Sequence, residues 1–438
     1  MTRVLAVLVL AALVVPAAAS AHATLVRSSP ADGAVVEHAP PAVRFEFDDT
    51  VRVASGIAAV ANASQRSVAG GRATAHGRVL VVPLVHGLDR GDYTVRWSIV
   101  SEDGHTEQGV IAFAVGLGSP PPHAVLVAST PLRVRDVVLR ALFYLGLLSA
   151  AGAAVFALLT GPVLGARQHR PLAGLLFCAL LAAFIGAGGL EAGAPSGTRY
   201  AHVLDAALVV AGAGAAAAAL APAFSRLLAP ARACAIALLV APALAGHSLD
   251  PDQPRVIAPL LDAVHTAAAG VWLGGLVAAL WIPARAHAES WERRAVLRRF
   301  STAALGAVAV LAASGVGRAL TELTSVHQLW STSYGRTLLV KTGIFLPLLA
   351  AGRASRSLLE RRGSPFARIV VTEIVAVAAI VVVVSVLTEL RPARQVRRPS
   401  ALPAGIGRAV LVSPAPVALR LAAHRFEEAR RVLERRQP

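Results

Sequence analysis

Eight strongly apolar runs, separated by short loops rich in arginine, occupy the middle of this chain and leave it little choice of fold. They lie at residues 137–160, 171–190, 200–224, 231–245, 259–283, 300–320, 337–352 and 366–388, of which the fourth and seventh are short. A helix needs roughly 20 mostly apolar residues to cross a bilayer. In hydrocarbon every backbone N–H and C=O must be satisfied within the spanning structure, which an α-helix achieves alone. Residues 137–389 are therefore expected to form an all-α polytopic membrane domain of about eight transmembrane helices. A mean hydropathy of +0.62 over 438 residues agrees, being too apolar for a soluble chain of this length.

The formal net charge is +17, which raises the question of a nucleic-acid partner. Its placement argues otherwise, because segment 22–116 carries 8 arginines against 10 acidic residues. The excess sits between the apolar runs and in the tail, so a nucleic-acid partner is rejected. If the N-terminal segment is exported, alternation assigns to the cytoplasm the loops holding Arg167 and Arg170; Arg226 and Arg232; Arg285, Arg293, Arg294, Arg298 and Arg299; and Arg353, Arg356, Arg361 and Arg362. The outer loops hold only Arg199, Arg255 and Arg336. Positive loops face inward. The expected location is thus a bacterial cell (inner) membrane, with the N-terminal domain and the C-terminal tail both extracytoplasmic. That tail, 390–438, has 11 arginines and 3 glutamates. Its end, 419–436, suits either a basic amphipathic helix on anionic membrane lipid or a solvated tail.

Residues 1–21 read as a signal peptide: Arg3, an apolar stretch over 4–15, and the small-residue site Ala19-Ser20-Ala21. Cleavage after Ala21 would make His22 the N-terminus. Its α-amine and imidazole could then chelate one ion, and nitrogen donors favour Cu(II) in a tetragonal field. The alternative is an ordinary histidine that happens to follow the cleavage site. A second segment, Ser101-Glu102-Asp103-Gly104-His105, follows the alternating stretch 92–100. In an extended chain Asp103 and His105 point to one side. With His22 they make a four-donor metal site of amine, two imidazoles and a carboxylate.

This block resembles the CopC copper-binding domain. The resemblance rests on His22-Ala23-Thr24-Leu25, Ser29-Pro30-Ala31-Asp32-Gly33, residues 43–47, Gly91-Asp92-Tyr93-Thr94-Val95-Arg96-Trp97, Asp103-Gly104-His105, Gly109 and Phe113-Ala114-Val115. It implies a Greek-key β-sandwich of cupredoxin/immunoglobulin-like type over 22–116, with a Cu(II) site at His22, Asp103 and His105. Some relatives carry a Met-rich Cu(I) site, whereas the only methionine here is Met1. Thioether ligation of Cu(I) is therefore absent from the mature domain. Cys178 and Cys234 both fall in apolar runs, so no disulfide framework is expected and both read as small apolar filler. A Gly/Pro-rich stretch at 117–122 opens a linker extending to 136.

The apolar runs carry their own histidines. His202, His247, His265 and His327 all fall at the expected outer face, and His202 with Asp205, and Asp262 with His265, have the i,i+3 spacing of one helix face. Ionisable groups in spans usually face a cavity or a partner. Head-group solvation is the alternative for His202, His247 and His327. Trp272 and Trp281 read as packing or interfacial anchors.

This half resembles the CopD membrane domain, through Gly246-His247-Ser248, Asp262-Ala263-Val264-His265, Gly270-Val271-Trp272-Leu273-Gly274-Gly275-Leu276, Arg299-Phe300-Ser301, Ser314-Gly315, Thr332-Ser333-Tyr334-Gly335 and Leu338-Leu339-Val340-Lys341. It departs at Gly352-Arg353-Ala354, where relatives often have an Asn-Arg pair. Lys341 is the only lysine in the chain. It is read either as charge balance or gating beside the His/Asp group, or as the partner of Glu373 or Glu322.

The sequence thus predicts a non-enzymatic CopC–CopD fusion that captures Cu(II) outside and moves copper inward, along a membrane path drawn from His202, Asp205, His247, Asp262, His265, His327 and Lys341. Its expected partners are copper ions, membrane lipid, and extracytoplasmic copper chaperones or cuproenzymes. No GxxxxGK[ST] segment supplies ATP as driver. Two rival readings are a histidine-brace monooxygenase, which needs an aromatic substrate face, and a non-transporting chaperone or sensor for extracytoplasmic cuproenzymes.

Overall fold

The computed structural model describes residues 23–116 except 63, then 118, 123–126, 133–249, 253–358, 366–390 and 409–412. The expected signal peptide, His22 and most of the basic tail lie outside these residues. The chain divides into two compact units, one β-rich and one helical, each treated by itself.

In the β-rich unit, β1 (Leu25–Ser29), β3 (Ala42–Phe47), β7 (Val79–Pro83) and β6 (Thr74–His76) form one antiparallel sheet in that order. A second sheet runs β2 (Ala34–Val36), β9 (Thr106–Val115), β8 (Gly91–Ser101), β4 (Val51–Val53), with β5 (Ala58–Ala61) also on β8. Only β2 runs parallel to its neighbour in this sheet. Alternation makes these strands: Val43, Phe45 and Phe47 are buried on β3, and Tyr93, Val95, Trp97 and Ile99 on β8. Both sheets contribute to one core, in which Phe47 meets Trp97 edge-on at 5.0 Å and Tyr93 stacks on Phe113 at 5.5 Å. Each fully buried Phe contributes about 1.5–3 kcal/mol. With Phe45, all five aromatics available for an aromatic substrate face are consumed by this core. A short parallel pair, β10 (His123–Leu126) with β11 (Ala409–Val412), was not foreseen in linker or tail.

The helical unit comprises α1 (Val134–Leu164), α2 (His169–Glu191), α3 (Arg199–Leu220), α4 (Leu228–Ala237), α5 (Ala241–Ala245), α6 (Ile257–Arg285), α7 (Ser290–Glu322), α8 (Gln328–Ser331), α9 (Ser333–Leu358) and α10 (Phe366–Leu387). Among the described residues, six stretches are long and apolar enough to cross a membrane, the first of which, Val134–Glu191, runs through both α1 and α2. The fourth expected run is divided, α4 passing through a 3-10 turn at Leu238–Val240 into α5.

Small residues let these helices approach closely, as is general where lipid is the solvent. A Cβ on Gly152 of α1 would run into the backbone of Gly270 and Gly274 on α6, so that crossing requires glycine. Both cysteines are free, Cys178 exposed and Cys234 half-buried. Trp272 is buried edge-on to Phe345, while Trp281 donates to the Pro171 carbonyl at 3.2 Å beneath the Arg285 guanidinium, as packing and anchoring residues do.

Candidate metal centres

The β8–β9 hairpin closes on the first candidate centre. The Ser101 amide donates to the His105 carbonyl at 3.0 Å, and the Gly104 amide to the Ser101 carbonyl at 3.0 Å. Gly104 has φ +85°, a conformation that favours glycine. Asp103-Gly104-His105 is therefore a tight turn, which corrects the expectation of an extended segment. Alternation ends at Ser101, where the chain must reverse. The turn nonetheless brings the two side chains together, with His105 Nδ1 3.2 Å from Asp103 Oδ2. Asp103 is buried, and its Oδ1 accepts from the Ser101 hydroxyl and, at 3.3 Å, from the His105 amide. Metal bonds of roughly 2.0–2.2 Å to N and O place neighbouring donors about 3 Å apart. The pair has that separation and a fixed carboxylate.

The start of the first sheet is tied to the same place. Ala23 is buried, the Thr24 amide donates to Asp48 Oδ1 at 2.7 Å, and the Asp48 amide donates to the Thr24 carbonyl at 3.1 Å. Val51, three residues after Asp48, pairs with Ser101. One connection, 48–51, thus fastens both Thr24 and Ser101, the residue at which the Asp103/His105 turn begins. His22 itself lies outside the described residues. Among the described residues, no group of three or more His, Cys, Asp or Glu is placed to hold a metal.

The second centre lies among α6, α7 and α9. His265 Nδ1 is 3.0 Å from Ser314 Oγ, and Lys341 Nζ is 3.4 Å from His265 Nε2. An ammonium has only protons to give, so Nε2 accepts and Nδ1 carries the ring proton. That proton goes to Ser314 Oγ, whose own hydrogen goes to the Val310 carbonyl at 2.7 Å. Beside this line Arg318 bridges two carboxylates, Nε to Asp262 Oδ1 at 2.6 Å and Nη2 to Glu322 Oε1 at 2.6 Å. Gln253 reaches Glu322 at 3.4 Å.

Of the expected path, Asp262, His265 and Lys341 belong to this cluster. The i,i+3 pair Asp262/His265 shares a face, as expected, but Asp262 pairs with Arg318 while His265 pairs with Ser314 and Lys341. Lys341 meets His265 rather than Glu322, which Arg318 takes. His202 and Asp205 form a loose 3.9 Å pair with side chains 71% and 58% exposed. His327 is exposed at the start of α8, edge-on to Trp330. His247 opens a 3-10 turn, and its side chain lies outside the described residues. Sequence reasoning missed Arg318 and the roles of Ser314 and Gln253. The four-residue spacing of Ser314, Arg318 and Glu322, one polar stripe on an apolar helix, was the available signal.

The chain thus joins a paired-sheet domain with a carboxylate–imidazole turn to apolar helices that carry a polar cluster. Residues 25–116 match the model of the CopC domain, and residues 294–387 that of copper resistance protein D, CopD. The chain is 28% identical over 395 residues to the copper transport protein CutJ of Bacillus subtilis, covering 81% of this chain and 71% of that protein. It is 35% identical over 98 residues to protein YobA of Escherichia coli K12, covering 22% of this chain and 79% of that one. The crystal structure of CopC from Methylosinus trichosporium OB3b is similar at 29% identity, covering 22% of this chain and 93% of that one, with a TM-score of 0.19. The chain belongs to the CopC–CopD family of copper resistance and transport proteins, with a CopC domain followed by a CopD domain. The CopD match includes Ser314, Arg318 and Lys341 and begins after His265.

Proposed function

We propose that this protein captures Cu(II) outside the cell membrane and moves copper inward, without enzymatic turnover. After removal of residues 1–21, a Greek-key β-sandwich over 22–116 binds the ion through the α-amine and imidazole of His22 with Asp103 and His105. A linker, 117–136, leads to a membrane domain, 137–389, whose helices make eight crossings of the bacterial inner membrane, leaving the β-sandwich and the tail 390–438 outside. The domain accepts copper near Asp262, His265 and Lys341. His202, Asp205, His247 and His327 serve as the outer approach.

The observation that carries this reading is the 3.2 Å approach of Asp103 Oδ2 to His105 Nδ1 in a turn fastened to the same connection as Thr24, two residues after His22. Such a site binds well yet opens one ligand at a time, which suits hand-over. Lipid surrounds the helices, and extracytoplasmic copper chaperones or cuproenzymes are the exchange partners. The test is copper uptake into proteoliposomes of the full chain, with and without a reductant. Accumulation supports transport and identifies the oxidation state carried. Binding without accumulation makes the protein a chaperone or sensor for extracytoplasmic cuproenzymes.

A further inference from the structure

We propose that the Lys341 ammonium is a tethered cation that occupies the metal-accepting nitrogen of His265 while the helical site is empty, and that an incoming copper ion displaces it. This rests on the reading of His265 as part of the copper path. Nδ1 is committed to Ser314, so Nε2 offers the one lone pair of the ring, and Lys341 Nζ stands on it at 3.4 Å. A lone pair accepts one cation at a time. Copper can therefore bind His265 at Nε2 only when the ammonium leaves.

The residue type fits the role. This is the one lysine in a chain that otherwise uses arginine, and a guanidinium presents several donors to carboxylates at once, as Arg318 does in bridging Asp262 and Glu322. An ammonium is a compact, strongly hydrated point charge on a flexible four-carbon stem, so it can stand where a monovalent metal ion stands and swing away without moving α9. Charge fits as well. Asp262, Glu322, Arg318 and Lys341 sum to zero in their ordinary ionised forms beside a neutral His265. Copper arriving at the ring adds a positive charge next to the ammonium, and mutual repulsion drives the lysine off towards Asp262, one helical turn away on the same face of α6. The returning ammonium then competes copper off the ring. Binding is weakened by that competition, and release is made easier.

The test uses the full chain in nanodiscs carrying His22→Ala, which removes the terminal imidazole of the outer site, titrated with copper(I) against a chromophoric chelator. Lys341→Leu, which removes the ammonium without supplying a copper ligand, is expected to bind at least tenfold more tightly at the helical site and to release copper correspondingly more slowly, whereas His265→Ala loses that binding. Lys341→Gln, which keeps a polar head of similar reach, should change affinity in the same direction and serves if Lys341→Leu folds poorly. A copper-free readout is the imidazole 15N spectrum, in which Lys341→Leu should shift the His265 Nε2 resonance while Nδ1 stays protonated. Binding lost in His265→Ala but unchanged or weaker in both Lys341 variants overturns this inference and leaves the transport reading standing. Binding unaffected by His265→Ala overturns both, and an Nε2 resonance unmoved by loss of Lys341 overturns the inference by itself.

Discussion

Asp262 on α6 is joined to Arg318 on α7 by a 2.6 Å contact between Oδ1 and Nε, and the same guanidinium holds Glu322 one turn further along α7. One guanidinium therefore bridges two carboxylates among apolar helices, and the Lys341 ammonium completes the charge balance. With Arg318 in direct contact with both carboxylates, the Lys341 ammonium stands on the His265 imidazole at 3.4 Å. The pairing of Asp262 and Arg318 thus fixes what the neighbouring His265 can do.

Arg318→Ala should be the most damaging single change in this cluster, since it removes the shared partner of Asp262 and Glu322. Breaking a buried pair costs about 3–5 kcal/mol. Arg318→Lys should recover part of the loss, and Asp262→Asn should cost less, because Glu322 still holds the guanidinium. Thermal unfolding of the full chain in detergent measures the order; equal stability of Arg318→Ala and the parent would contradict it.

A soluble fragment beginning at His22 should bind one Cu(II) tightly, with an EPR spectrum of nitrogen-rich tetragonal coordination. One added residue ahead of His22 turns the amine into an amide and should weaken binding at least a hundredfold. An extended fragment with unchanged affinity and spectrum would rule out the terminal chelate.

His105→Ala should remove a nitrogen donor and cost at least a hundredfold in Cu(II) affinity. Asp103→Asn should cost less, because the nitrogen donors stay in place and the amide keeps an oxygen at the same position. In competition titrations, wild-type affinity in His105→Ala would exclude that side chain from the site.

Asp92 supplies a pH dependence. Its Oδ1 is buried without a hydrogen-bond partner among the described residues, and burial raises its carboxyl above the ordinary value of 3.8. A raised carboxyl means that the folded state binds the proton more tightly than the unfolded one, so ionised Asp92 destabilises the fold above the raised value and the penalty vanishes below 3.8. Asp92→Asn should therefore melt higher than the parent at pH 7, and the gap should narrow as pH falls through the carboxylate range. A gap independent of pH would place the effect elsewhere.

The sequence by itself determined the main divisions: apolar runs become helices because lipid leaves the backbone no other partner, and alternation over 92–100 becomes a strand with its aromatics inside. It also singled out Asp103, His105, Asp262, His265 and Lys341, because a charge in an apolar helix or a Gly between two donors is conspicuous without any fold. What it could not contain was which faces meet. Periodicity shows that Ser314, Arg318 and Glu322 share a stripe, but the contact of His265 with Ser314 spans 49 residues and that with Lys341 spans 76. Only helix packing, set by close approaches such as Gly152 against Gly274, brings those stripes together. The DGH segment makes the same distinction on a smaller scale. Its donors were legible, whereas their convergence came from a reversal of the chain at Gly104, a tertiary consequence of β8 pairing with β9.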